Sequence, residues 1–210
     1  TTTLAVGVLE TAFVVGDFGV AYVWQTSSTT TPLLYRLAGL WGGQAGSLLF
    51  WSWLMAVLAA TALARPWRAD AALRAPFTAI CATVTGFFLF LVAFFSNPFA
   101  RLTVLPVEGN GLNPLLQHPG MALHPPALYL GFTGMVIPYA FAMAALVARQ
   151  TDSAWILASR RWMLAAWALL SLGLALGARW AYDVLGWGGY WGWDPVENAA
   201  FMPWIAGTAF

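Results

Sequence analysis

The sequence predicts an all-α, polytopic transmembrane helix bundle. Three observations predict it. Hydrophobic residues make up 60% of the 210-residue chain and charged residues 8%, against about 25% charged in an ordinary soluble domain. Mean hydropathy is +0.72. The apolar residues fall in runs near the roughly 20 residues that cross a bilayer core, separated by Pro-, Gly- and Arg-rich connections. We expect five spans and the start of a sixth, forming one partial domain over residues 1–210, with membrane lipid around it.

The first expected span is Leu4 to Trp24. Glu10 and Asp17 lie in it seven apart, so on one helical face. Acids inside a bilayer are costly and face the bundle interior or water. Residues 25–46 follow as an external segment ending in Leu40-Trp41-Gly42-Gly43-Gln44-Ala45-Gly46-Ser47. The second span, Ser47 to Ala64, is closed by Arg65-Pro66, since proline cannot continue a helix. Arg65, Arg68 and Arg74 face one acid, Asp70, in the next loop. Pro76 to Phe95 is the third span, rich in Phe, with Cys81 as a small packing residue. As the sole cysteine, Cys81 excludes a disulfide framework and a CxxC pair.

The external segment 97–125 is dense in Pro, Asn and Gly and holds both histidines, His118 and His124. His124-Pro125-Pro126 stands at the mouth of the fourth span, Pro126 to Val147, which Pro138 should kink. The loop from Ala148 to Arg161 carries Arg149, Arg160 and Arg161 against Asp152. The fifth span is Trp162 to Ala181, with Arg179 near its end. A further apolar run opens at Phe201 and stops at Phe210, and we read the chain as an internal portion of a longer polypeptide. Two short loops carry six of the nine arginines; the chain has no lysine. The positive-inside rule makes their side cytoplasmic. A net charge of +1 gives no reason to expect nucleic acid.

The three unusual segments, 25–46, 97–125 and 182–202, then share the opposite face. The last contains Gly186-Trp187-Gly188-Gly189-Tyr190-Trp191-Gly192-Trp193-Asp194-Pro195. Rings interleaved with glycine suit either an interfacial aromatic belt or a surface for a large planar apolar ligand. Belts occupy both interfaces, so convergence on one face favours the ligand. A histidine at the lip of a span beside such a platform suits haem, whose iron takes imidazole as an axial ligand. A hydrogen-bonded surface histidine is the other reading. Arg101, Arg179 and the platform indole N–H groups are candidate donors to carboxylates. Asp194 and Glu197 are either an acid–base pair or, with Pro195 at the first helical position, a capping box for the following helix. With no HExxH motif, cysteine ligand pair or phosphate-binding loop, zinc, iron–sulfur and nucleotide chemistry are not expected.

GWGGYWGWDPVENAAFMPW resembles the WWD motif of the haem-handling superfamily, and most closely its CcmF family, haem lyases of bacterial c-type cytochrome maturation. The motif departs from the usual pattern at Tyr190 and Gly192. LWGGQAGSLL (residues 40–49) and LNPLLQHPGMALHPPALY (residues 112–129) resemble the same family in the same order. The resemblance implies a haem-binding platform in the WWD stretch, with Trp187, Tyr190, Trp191, Trp193 and Asp194; Trp41 and Arg179 are further candidate haem contacts. It implies His124 as an axial ligand to haem iron, His118 ranking below it. It implies an enzyme that takes haem b from a CcmE-like chaperone and joins it by thioether bonds to the CxxCH motif of apocytochrome c. CcmH-like subunits would reduce the thiols and present the apocytochrome. The protein would be a multi-pass bacterial inner-membrane protein with the WWD and histidine segments periplasmic. The family's resident haem b would be held between histidines beyond Phe210. A CcmC-like haem export or loading protein, binding haem without the covalent bond, is the alternative. An ordinary structural subunit or transporter with an aromatic belt is the other.

Overall fold

The computed structural model describes residues 1–65, 71–150, 152–184, 186 and 188–210. Arg68 and Asp70 of the first arginine loop, Pro66 beside them and Trp187 of the platform lie outside the described residues. Among the described residues the only strand pairing is a single bridge, Val20 with Arg101; everything else regular is helical. Among the described residues, four segments are long and apolar enough to cross a membrane: Gln44–Ala64, Ala71–Phe94, Pro119–Val147 and Ala154–Val184. The protein is an all-α integral membrane protein.

The first expected span is not one helix. α1 (Thr2–Val15) ends at Gly16, which takes the left-handed conformation (φ 72°, ψ 43°), a helix stop that glycine adopts without a Cβ penalty. α2 begins only at Ala21 and covers Ala21–Thr26. Glu10 and Asp17 therefore do not share a helical face. Asp17 instead pairs with Arg101 at 3.1 Å. At 14 residues, α1 falls short of the roughly 20 needed to span.

The described chain forms two compact units. The first comprises Thr1–Trp53 and Phe87–Leu123. It holds α1, α2, α3 (Leu33–Ala38), the start of α4 (Gln44–Ala64), the end of α5 (Arg74–Phe94) and the loop after it. Tyr22 is its hub. Its hydroxyl donates toward the carbonyl of Gly39 at 3.0 Å and accepts the N–H of Gly43 at 2.9 Å. The loop after α5 is stitched to this layer by backbone bonds from Leu102 to Gly19, Asn110 to Trp24 and Gly111 to Ser27.

Glu108 closes the same layer. Its carboxylate accepts the Thr29 hydroxyl, the Thr29 N–H at 2.8 Å and the Gly109 N–H at 2.8 Å. Arg36 donates to the Thr29 carbonyl at 2.5 Å and to that of Thr31 at 2.8 Å. The Thr29 hydroxyl first, then the two N–H groups and the Arg36 charge, hold the Glu108 carboxyl below its ordinary range. A depressed folded-state pKa means that the contribution is present above the unfolded carboxylate pKa and is lost as pH falls through the folded one. Hydrogen-exchange protection at Thr29 and Gly109, corrected for intrinsic rates, should fall as the buffer is taken from pH 7 to below about 4. Glu108→Gln should remove that pH dependence, and protection indifferent to acid would contradict the clamp.

The second unit comprises Leu54–Gly86 and His124–Phe210. One part of its core joins Leu73, Phe77 and Cys81 to Ile137, Ala140, Phe141 and Ala144 of α7 (Val136–Val147). Phe77 and Phe141 have ring centroids 4.6 Å apart. Cys81 is buried there, the packing role expected of it. The second part joins Leu128 of α6 (Pro119–Gly134), Leu170 of α8 (Ala154–Val184) and Ala200 of α9 (Pro195–Ala209). α6 and α8 approach through reciprocal glycines. A Cβ on Gly131 would lie 2.5 Å from the Leu170 backbone, and one on Gly173 would lie 2.6 Å from that of Leu128. Small residues permit this closeness where apolar burial alone does not drive helices together.

Several boundaries differ from expectation. α8 starts at Ala154, whose N–H bonds Asp152 at 3.0 Å, so Arg160 and Arg161 lie inside the helix rather than in the loop. The helix that holds Pro138 is interrupted three residues earlier, at Met135 between α6 and α7; Pro138 has no N–H for the carbonyl four residues back, that of Gly134. α6 begins at Pro119 and carries Pro125 and Pro126 in its interior. His124 is thus inside the helix, in its second turn, and not at its mouth. Pro125 has no N–H for the carbonyl of Met121, and the Trp41 indole N–H supplies that bond at 2.8 Å.

Candidate functional site

His124 is half-buried, and its Nδ1 lies 2.8 Å from the carbonyl oxygen of Gly173. A carbonyl can only accept, so Nδ1 carries the proton and Nε2 holds the free lone pair. The Trp180 ring meets the imidazole edge-on, centroids 5.6 Å apart and planes at 61°. Gly173, Gly177 and Trp180 are spaced four and three apart, one face of α8.

The aromatic platform uses the other side of α8. Tyr190 stacks on Tyr182 at 4.5 Å and 13°. Positions 180 and 182 are 200° apart around a helix at 3.6 residues per turn. Trp191 packs against Trp193 at 5.9 Å and against Phe201 at 5.6 Å. Phe201 stacks on Trp204 at 5.7 Å, and Trp204 on Trp167 at 6.0 Å. This ladder is pinned by hydrogen bonds: the Trp204 indole N–H to the Ser171 hydroxyl at 2.7 Å and the Trp167 indole N–H to the Thr208 hydroxyl at 2.9 Å.

The expected cap is present. Asp194 accepts the Glu197 N–H at 2.7 Å, Glu197 reaches back to the Asp194 N–H at 3.3 Å, and Pro195 opens α9. Glu197 also accepts the Gly192 N–H at 2.8 Å, so the cap grips the platform as well as the helix. Trp193 sits at φ 57°, a conformation that costs a non-glycine residue about 1 kcal/mol. Asn198 donates to its carbonyl at 3.0 Å and helps hold it there. Trp193 remains 67% exposed and Tyr190 53%.

The remaining expected residues have local partners. Arg179 pairs with Asp183 at 2.9 Å, one turn on, a surface pair of the kind worth about 0–1 kcal/mol and so open to exchange. His118 accepts the N–H of Gly120 at 3.0 Å, serving the start of α6. Trp41 caps the Met121 carbonyl and packs on Phe50 at 5.3 Å. His118 and Trp41 belong to the first unit; His124, Arg179, Tyr190, Trp191, Trp193 and Asp194 belong to the second. Among the described residues the indole N–H groups of Trp180 and Trp191 are buried without a hydrogen-bond partner, and no group of three acidic, His or Cys side chains is arranged to hold a metal ion. Sequence reasoning missed Gly173, Gly177 and Trp180. Their four-and-three spacing was a readable sign of a helix-packing face, but nothing local tied that face to His124.

Residues 41–210 match the family model of the cytochrome C assembly protein. The cytochrome c-type biogenesis protein ccl1 of Rhodobacter capsulatus is 47% identical over 206 residues, covering 98% of this chain and 32% of its own length. CcmF of Escherichia coli is 49% identical over 203 residues, covering 96% and 31%. A solved structure of the cytochrome c haem lyase CcmF superposes with a TM-score of 0.83 at 37% identity, covering 99% of this chain and 33% of that one. The chain thus spans about a third of the length of these relatives, and it belongs to the cytochrome C assembly protein family.

Proposed function

We propose that this chain is the haem-docking portion of a haem lyase of c-type cytochrome biogenesis, with His124 as an axial ligand. The observation that carries the reading is the fixed tautomer of His124. Protonated at Nδ1 by its bond to Gly173, the ring presents Nε2, the nitrogen a metal would take, and a carbonyl partner of this kind is the usual support of a ligating imidazole. The features a flat apolar ligand with carboxylate arms would use lie on two sides of α8. Beside the imidazole, the indole N–H of Trp180, partnerless among the described residues, offers a donor; on the opposite side, the exposed faces of Trp193 and Tyr190 offer stacking surface and the partnerless indole N–H of Trp191 a second donor. Such a donor costs about 1–3 kcal/mol if left unmade, which a ligand oxygen would offset.

The substrates are haem b, delivered by a CcmE-like chaperone, and the reduced CxxCH motif of apocytochrome c, presented by CcmH-like subunits. Each thioether forms by adding a thiol S–H across a vinyl C=C: sulfur bonds one carbon, hydrogen the other, and nothing leaves. The thiolate is the reactive form. This chain's residues bind and orient; the gain is one of positioning. By the positive-inside rule, the arginines flanking residues 66–70 and those in the first turns of α8 support a cytoplasmic location for that side. The external segments then face the periplasm across the bacterial inner membrane. A resident haem b would take its ligands from outside this chain.

The test is an absorbance spectrum of the complete protein with and without His124→Gly. Haem bound at the external site should fall about 10-fold or more in affinity and return on addition of imidazole. Unchanged haem content and bands would leave His124 a helix-packing residue and refute the reading.

A further inference from the structure

The imidazole of His124 lies in a socket on α8. Gly173 supplies the carbonyl that accepts from Nδ1, Trp180 closes one edge, and Gly177 forms the floor. A Cβ at position 177 would stand 2.5 Å from Cε1, 2.9 Å from Nδ1 and 3.3 Å from Nε2 of the ring. Side-chain carbons do not approach so closely, so only glycine admits the ring in this place. The atom forced to yield would be the imidazole, at the far end of a rotatable side chain, and not a backbone.

We propose that Gly177, acting with the Gly173 carbonyl, is a positioning residue for His124: it sets the plane of the ring so that Nε2 faces the incoming ligand. This rests on the proposed ligand role of His124. Gly177 touches neither substrate nor metal. Its role is the same kind of outer support that hydrogen-bonded partners give a ligating histidine. Because alanine favours a helix over glycine, Gly177→Ala should leave α8 formed and displace the ring.

A matched control exists in the same helix pair. A Cβ on Gly134 would meet the Ala166 Cβ at 2.9 Å, crowding α6 against α8 without touching His124. The experiment titrates haem into complete, detergent-purified protein and follows absorbance, imidazole response and thermal melting for Gly177→Ala, Gly134→Ala and His124→Gly. Gly177→Ala should bind haem about 10-fold or more weakly, be rescued by imidazole, and melt near the parent temperature. Gly134→Ala should bind as the parent does. If Gly177→Ala binds normally while His124→Gly does not, the positioning role is wrong and the ligand role stands. Equal loss in Gly134→Ala would trace the effect to helix packing and overturn the inference. Normal binding by His124→Gly removes the ligand role and the positioning role together.

Discussion

Gly46→Ala should destabilise the first unit by roughly 3 kcal/mol or more, at or beyond the upper end of ordinary overpacking. The added Cβ would lie 1.9 Å from the Leu40 carbonyl oxygen and 2.6 Å from the Tyr22 ring and its hydroxyl. The first neighbour is backbone and has no rotamer to change. The second is the hydroxyl that knots Gly39 to Gly43, so moving it breaks those bonds as well. At roughly 2–4 °C per kcal/mol for a chain of this size, the melting temperature should fall by about 6 °C or more. Gly86→Ala is the companion measurement, since a Cβ there meets nothing within 4 Å and alanine favours the helix. A melting temperature for Gly46→Ala within about 2 °C of the parent would mean that the approach of α4 to Leu40 is looser than described.

Phe77→Ala should cost about 3 kcal/mol, the lower end of the range for large aromatic truncations. Phe77 is 0% exposed and its ring lies against Phe141 at 4.6 Å. The lower end applies because lipid tails are as apolar as the side chain, so the transfer part of the cost shrinks within a membrane. What remains is the loss of dispersion contacts along an emptied space. Phe87, on the same helix but 57% exposed, is the contrast. Phe87→Ala should shift melting by less than about 2 °C, and equal shifts for the two would refute the core assignment.

The cap of α9 shows what kind of structure a sequence discloses. Asp194-Pro195-Val196-Glu197 was legible because every bond in a capping box lies within three residues. The membrane helices from Gln44 to Val184 were legible because hydropathy and length alone define them. The break at Gly16 was not, because a glycine inside an apolar run reads equally as a helix residue or a helix stop, and Asp17 finds Arg101 84 residues away. His124 was singled out correctly as a residue, but its surroundings were hidden: the partner is a backbone carbonyl 49 residues on, and a carbonyl has no sequence signature. The platform was expected to lie beside the histidine. Instead Tyr190 and His124 contact opposite sides of α8, a consequence of helical phase that appears only once Tyr182 and Trp180 are known as their contacts.

The bond from Trp41 to Met121 also has a schedule. The acceptor is made 80 residues after the donor, roughly 4–16 s later at about 5–20 residues per second. During that interval the indole must sit at the bilayer edge, where water and headgroups satisfy it, while α4 and α5 are inserted. The first unit is completed only when Pro119 to Leu123 emerge, although the second has already begun at Leu54. Biogenesis of this membrane protein therefore cannot proceed one unit at a time: the earlier-starting unit waits, with its tryptophan in hand, for the first turns of the histidine-bearing helix.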